Sequence, residues 1–146
     1  MRVGVIQLNS GDDPAVNLVR TQKLIAEAAG RGATFVATPE VTNIVSTSHE
    51  HQGSVLCNEI DDKTLKALRE TAADLNILLL IGSLALKTNH PDKRFVNRSF
   101  LINSLGEIIA RYDKIHMFDV KVSKTESYCE SAAYRPGKNA PVVTTP

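Results

Sequence analysis

"RVGVIQLNSGDDPAVNLVRTQKLIAEAAGRGATFVATPE", residues 2–40, decides the fold. Residues 2–8 are apolar and partly β-branched, and read as a buried strand. Asp13 is placed to cap a helix and Pro14 to take its first position, where a missing N–H costs nothing. Apolar residues at 15, 16, 18, 19, 24, 25, 28 and 29 then keep to one helical face until Gly30 or Gly32 ends it. Residues 33–40 return as a second short strand running into a loop. Strand, helix and strand at this spacing make a right-handed βαβ unit with parallel strands, hence an α/β fold.

Outward from this unit, residues 43–60 carry little periodicity and predict a loop with short turns. Residues 61–76 predict a second amphipathic helix with aspartates at its positive N-terminal end. It feeds "ILLLIGSLAL" (77–86), a strand buried on both faces. A turn at 88–93 follows, then a β-hairpin in which "FVNRSFLIN" and "EIIARY" flank "SLG" (104–106). Beyond Phe118 the chain is polar and irregular until "VVTTP" (142–146), which reads as the start of another strand. A sheet whose final strand begins there predicts that residues 1–146 form the N-terminal portion of one larger domain.

Composition narrows the function classes. Of 146 residues, 42% are hydrophobic and 23% charged, as in an ordinary globular protein. Seventeen basic and sixteen acidic residues leave a net charge of +1, which gives no electrostatic reason to bind nucleic acid. "KRFVNR" (93–98) is the only basic cluster and reads as a solvated strand edge. Two cysteines, Cys57 and Cys129, make no disulfide framework and fit reduced thiols, so a cytoplasmic location is expected. The start reaches Gln7 and Asn9 too soon for a signal peptide, and the run "ILLLI" (77–81) is too short for a bilayer.

Three charged residues stand out. Glu40 follows "FVATP" at the C-terminal end of a parallel strand, the edge where open α/β sheets gather ligands. In "ARYDKIHMFD" (110–119), continued extension puts Tyr112, Lys114, His116 and Phe118 on one face. An ammonium between apolar walls needs an acidic partner or a lowered pKa. Glu130 lies in "SYCESAAYRPG" with Tyr128, Cys129 and Tyr134, where a plain ion pair with Arg135 is the competing reading. His49 and His51 with Cys57 match no structural zinc spacing, so no metal is expected. "NSGDDP" lacks the glycine spacing of a phosphate loop.

Taken together, "VGVIQLN", "ATPE", "IGSLAL", "NRSFLINSLGEIIARYDKIHMFD" and "CESAAYRPG" resemble the nitrilase superfamily of carbon–nitrogen hydrolases. The branch holding omega-amidase and deaminated-glutathione amidase is the most similar. The resemblance implies part of a four-layer α–β–β–α sandwich and a Glu–Lys–Cys triad that hydrolyses a small carboxylated amide to an acid and ammonia. It implies catalytic roles for Glu40, Lys114 and Glu130, with Tyr112 and His116 as substrate contacts. It implies no cofactor, a small-molecule amide as partner, and a homo-oligomer for the complete enzyme. The family's nucleophilic cysteine follows a segment like "P-V-x-T-P-x-G", at a strand–helix elbow past Pro146, and neither Cys57 nor Cys129 matches it. The chain alone is therefore expected to be inactive and prone to self-association through an uncovered sheet. A non-catalytic binding or interaction module derived from the same fold is the alternative.

Overall fold

The computed structural model describes residues 1–145. Five strands form one sheet in sequential order: β1 (Val3–Val5), β2 (Phe35–Ala37), β3 (Leu78–Leu86), β4 (Val96–Ile102) and β5 (Ile108–Asp113). The first three are parallel and the last two add antiparallel. Helices α1 (Pro14–Gly30) and α3 (Lys63–Asp74) cross over between the parallel strands, and both pack on one face of the sheet. A short helix α2 (His49–Val55), a 3-10 turn at Glu59–Asp61, a two-stranded ribbon of β6 (Asp119–Lys121) and β7 (Ser127–Cys129), and a single turn α4 (Glu130–Ala133) complete the described chain.

The helix boundaries follow from local chemistry. Asp13 Oδ1 accepts from the N–H groups of Ala15 (2.8 Å) and Val16 (3.3 Å), which would otherwise lack partners, and Pro14 opens α1. The helix runs to Gly30, and Gly32 takes the left-handed conformation (φ +86°) that turns the chain into β2. Buried Asp62 caps α3 by accepting from Leu65 N–H at 2.7 Å. Ile25, Leu65, Leu68 and Ala72 from the helices meet Val36, Leu79, Ile81, Phe100 and Ile102 from the sheet in one core.

Two expectations are corrected. Residues 43–60 are not all loop. Ser48 caps α2 through His51 N–H, and buried Gln52 secures it by donating to Ser46 O. The segment is short and polar, so no hydrophobic period announced it. Residues 142–145 of the strand expected at 142–146 form no strand and are mostly exposed, and residue 146 lies outside the described residues.

Neither α1 nor α3 covers the other face of the sheet. Register aligns Val5, Ala37, Leu80, Leu101 and Ala110 across all five strands on that face, with Val3, Phe35 and Leu78 in the next row. Val3 and Val5 are 50% and 81% exposed, which is unusual for valines in a sheet. Light scattering of the 146-residue chain is expected to show species larger than the monomer, driven by this face. A monodisperse monomer at high concentration would refute that.

Gly82 governs how the Glu40 loop crosses β3. A Cβ there would collide with Thr38 O and stand 2.6 Å from the Pro39 carbonyl carbon, both backbone atoms that cannot rotate away. Gly82→Ala is expected to lower stability by about 1–3 kcal/mol through overpacking. Gly53→Ala, in helix α2 with open space around it, is the matched control and should leave the melting temperature unchanged or raised.

Candidate active site

Glu40 leaves the sheet just past β2, at the carboxyl edge of the parallel strands. The turn that presents it is tied down on every side. Thr38 N–H donates to Leu80 O at 2.9 Å, and the Thr38 and Thr42 hydroxyls meet at 2.8 Å. Val41 takes φ +50°, a conformation that β-branched residues rarely adopt and that costs on the order of 1–3 kcal/mol. Ser83 on β3 offsets this cost. Its hydroxyl accepts from Val41 N–H at 2.7 Å and its carbonyl from Thr42 N–H at 2.8 Å. Buried Asn43 then takes the place of a strand, exchanging two 2.9 Å hydrogen bonds with the Ala85 backbone.

Lys114 follows the last residue of β5, and its backbone is gripped from both sides. Its N–H donates to Asn97 O, and its carbonyl accepts from Gly137 N–H, each at 2.9 Å. Asp113 beside it makes a bidentate pair with Arg98 at 2.6 and 2.8 Å, and Arg98 also reaches Glu59 at 2.7 Å. Planar guanidinium suits this forked geometry. The network joins β4, β5 and the 3-10 turn directly behind the lysine.

From this anchor the Lys114 ammonium reaches two carboxylates. Nζ donates to Glu40 Oε1 at 2.9 Å, and it lies 3.0 and 2.9 Å from Oε1 and Oε2 of Glu130. Glu130 opens α4 and accepts from Phe118 N–H at 2.6 Å, while Asn97 Nδ2 donates to Glu40 Oε1 at 2.7 Å. The three residues that the sequence singled out therefore converge, though they are separated by up to 90 positions along the chain (40 to 130).

The hydrogen bond from Lys114 holds the Glu40 carboxyl below its ordinary value of 4.5, against burial, and Asn97 adds to the effect. Burial opposes the charge on Lys114, but hydrogen bonds to Glu130 and Glu40 outweigh it and its pKa rises above 10.5. Both groups are ionised at neutral pH. Tyr134, half-buried and facing the negative charge of Glu130 and Glu40, is pushed up to about 12 and remains a phenol. A cleft of about 470 Å³ opens on the Glu130 side, walled by Phe118, Tyr128, Tyr134, His49 and Gln52. Glu40 lies outside that cleft, with its side chain 57% exposed.

The alternation expected through residue 118 stops at Asp113, where β5 ends and the chain turns. Tyr112 consequently folds back, its hydroxyl accepting from Ile115 N–H at 3.3 Å, and His116 is exposed. Neither is hydrogen-bonded to the three charged groups among the described residues. Cys129 is exposed with Sγ 3.6 Å from Ser131 Oγ, and Cys57 is half-buried; among the described residues neither is hydrogen-bonded to Lys114 or Glu40. Arg135 pairs with Asp92 at 3.2 Å rather than with Glu130. His49 stacks on Phe95 with ring centroids 4.8 Å apart, and His51 Nε2 faces Asp12 O at 2.8 Å. Sequence reasoning missed Asn97 and Ser83. The signal for Asn97 was an amide inside an otherwise apolar strand, "FVN" (95–97).

Residues 2–146 match the carbon-nitrogen hydrolase family. A deaminated glutathione amidase from Yersinia enterocolitica is 31% identical over 99% of this chain and 50% of its own length. Nitrilase homolog 2 of Dictyostelium discoideum is 34% identical over 94% of this chain and 41% of its own. An omega-amidase from Danio rerio is 31% identical over 99% and 50%. The chain thus spans about half the length of these curated relatives. The NitFhit protein of C. elegans shares the fold with a TM-score of 0.81 at 24% identity, covering 93% of this chain and 33% of that one. A doubly substituted amidase from Nesterenkonia sp. AN1, in complex with acrylamide, superposes with a TM-score of 0.78 at 25% identity, covering 99% of this chain and 51% of that one. No described helix is long and apolar enough to cross a membrane. By motif, fold and family match, this chain belongs to the carbon-nitrogen hydrolases.

Proposed function

We propose that this chain supplies the acid and ammonium groups of an amidase site that hydrolyses a small carboxylated amide to the acid and ammonia. The carrying observation is the Lys114 ammonium held at 2.9–3.0 Å by Glu40 and Glu130. The amidase names of the relatives and the acrylamide bound to the Nesterenkonia enzyme support an amide as substrate. On this reading the nucleophile is a cysteine on a segment beyond residue 146, the acceptor of an acyl group from the amide carbon. Glu40 takes the thiol proton as sulfur bonds to that carbon. It returns the proton to the nitrogen as the C–N bond breaks and ammonia leaves. It then draws a proton from the water that cleaves the thioester, and the thiol is regenerated.

Lys114 offers its compact charge to the oxyanion of each tetrahedral intermediate, a contribution of roughly 3 kcal/mol in a water-poor site. Glu130 keeps that ammonium charged and aimed. His116, exposed beside Lys114, is the proposed contact for the outer end of the substrate, and Tyr112 holds the turn between them through Ile115. The reaction calls for no metal or organic cofactor. A homo-oligomer in the cytoplasm is the proposed setting of the complete enzyme.

The test compares the 146-residue chain with the product of the same reading frame continued past codon 146. Ammonia release from ω-monoamides of dicarboxylic acids is expected from the extended protein. Without its nucleophile the chain alone should be on the order of a millionfold slower. Lys114→Ala in the extended protein should lower kcat by roughly a hundredfold or more. Amide binding without turnover by the extended protein would favour a non-catalytic binding module instead.

The paired charges also set a pH window for stability. The lowered pKa of Glu40 gives stability that is present above 4.5 and lost as pH falls through its folded value. The raised pKa of Lys114 gives stability present below 10.5 and lost as pH rises through its folded value. The melting-temperature gap between the native chain and Glu40→Gln should be widest near neutral pH and close on acidification below 4.5. A gap that does not vary with pH would contradict the ionised pairing.

A further inference from the structure

We infer that Asn97 is the positioning residue that gives Glu40 a single proton-accepting oxygen, Oε2; the inference rests on the amidase reading above. Asn97 is the second residue of β4, is 3% exposed, and is paired with Ala85 of β3. A buried amide inside a strand is disfavoured unless its polar atoms find partners. Its Nδ2 finds Glu40 Oε1 at 2.7 Å, and its carbonyl takes the Lys114 N–H at 2.9 Å. One residue thus touches both reacting groups, the base through its side chain and the lysine through its main chain. Its amide orientation is fixed by chemistry, since only the NH₂ end can donate to a carboxylate.

The two glutamates meet the same ammonium in different ways. Glu130 presents both oxygens to Lys114 Nζ, at 3.0 and 2.9 Å. Glu40 presents only Oε1, which already carries the Asn97 donor. Among the described residues Oε2 of Glu40 receives no donor, and the side chain is 57% exposed. A carboxylate clasped by both oxygens keeps fewer open lone pairs for an incoming proton than one held through a single oxygen. Asn97 prevents that clasp by fixing the carboxylate rotation, so that Oε2 faces outward while Oε1 is fully engaged. The proton then moves from the nucleophile to Oε2 and on to the leaving nitrogen, and Asn97 stays a neutral donor throughout.

Two substitutions test this. Asn97→Leu keeps the branched shape, adds some bulk and removes the donor. Asn97→Asp keeps the shape and sets a like charge beside Glu40, and it serves where the leucine variant does not fold. The direct readout is a ¹³C NMR titration of the Glu40 carboxyl in the 146-residue chain, assigned through Glu40→Gln. In the native chain it should titrate below 4.5, and each substitution should move it upward. In the extended enzyme, kcat should fall by about a hundredfold, as for a misplaced reacting group, with KM nearly unchanged and the acid limb of the pH profile displaced upward. An unchanged Glu40 titration in both variants overturns the inference whatever the activity. An upward shift supports it even if the native extended protein hydrolyses no amide, an outcome that would sink the amidase reading alone.

Discussion

One ammonium between two carboxylates is the constraint that the rest of the structure serves. Lys114 with Glu40 and Glu130 sums to a charge of −1, and removing such a group from water is unfavourable unless hydrogen bonds replace the lost hydration. The Phe118 N–H and the Asn97 amide supply two of them, one on each carboxylate. Each arm is then traceable to a rigid element. Glu40 rides on a turn stitched to β3 by Ser83, Lys114 is clamped between Asn97 and Gly137, and Glu130 begins helix α4. Close approach of Gly137 to Asp113 and Lys114, where a Cβ would collide with Asp113 O, explains why a glycine follows Pro136 there.

The fold places these arms by layering. Helices α1 and α3 cover one face of the sheet and make the large core, which fixes the relative positions of β2, β3 and β4. A second, smaller cluster of Ile44, Leu56, Ala85 and Phe95, with Tyr134 against it, ties the Glu40 loop to the Glu130 segment. The register shift between Ile81 and Leu84 makes this possible. It exchanges the faces of β3, so that Leu84 joins the main core while Ala85 serves the small cluster.

Much of this was legible in the sequence. The βαβ unit could be read because Asp13–Pro14 and Gly32 punctuate the helix, although its expected apolar face is only partly right: Val16 and Val19 are exposed while Asn17 and Thr21 are buried with Ile25. The β4–β5 hairpin could be read because apolar strands flank a short glycine turn. Glu40, Lys114 and Glu130 were legible as a set through motif resemblance, and their separate settings gave only partial reasons to single them out. Helix α2 was hidden because it rests on a Ser48 cap and a buried glutamine rather than on an apolar stripe. The directions of Tyr112 and His116 were hidden because strand alternation ends at Asp113, where the Arg98 pair and the Gly137 contact turn the chain. Asn97 was hidden for a related reason. Its partner lies 57 positions away, and only tertiary structure reveals that its amide meets a carboxylate.

The central claim is that both glutamates hold Lys114 as a shared, fully charged ammonium. Direct ¹⁵N NMR titration of the Lys114 Nζ measures this without recourse to turnover. The account predicts a pKa above 10.5 in the native chain, lowered by Glu40→Gln and lowered again by Glu130→Gln. A Lys114 that titrates at its ordinary value and ignores both substitutions would contradict it.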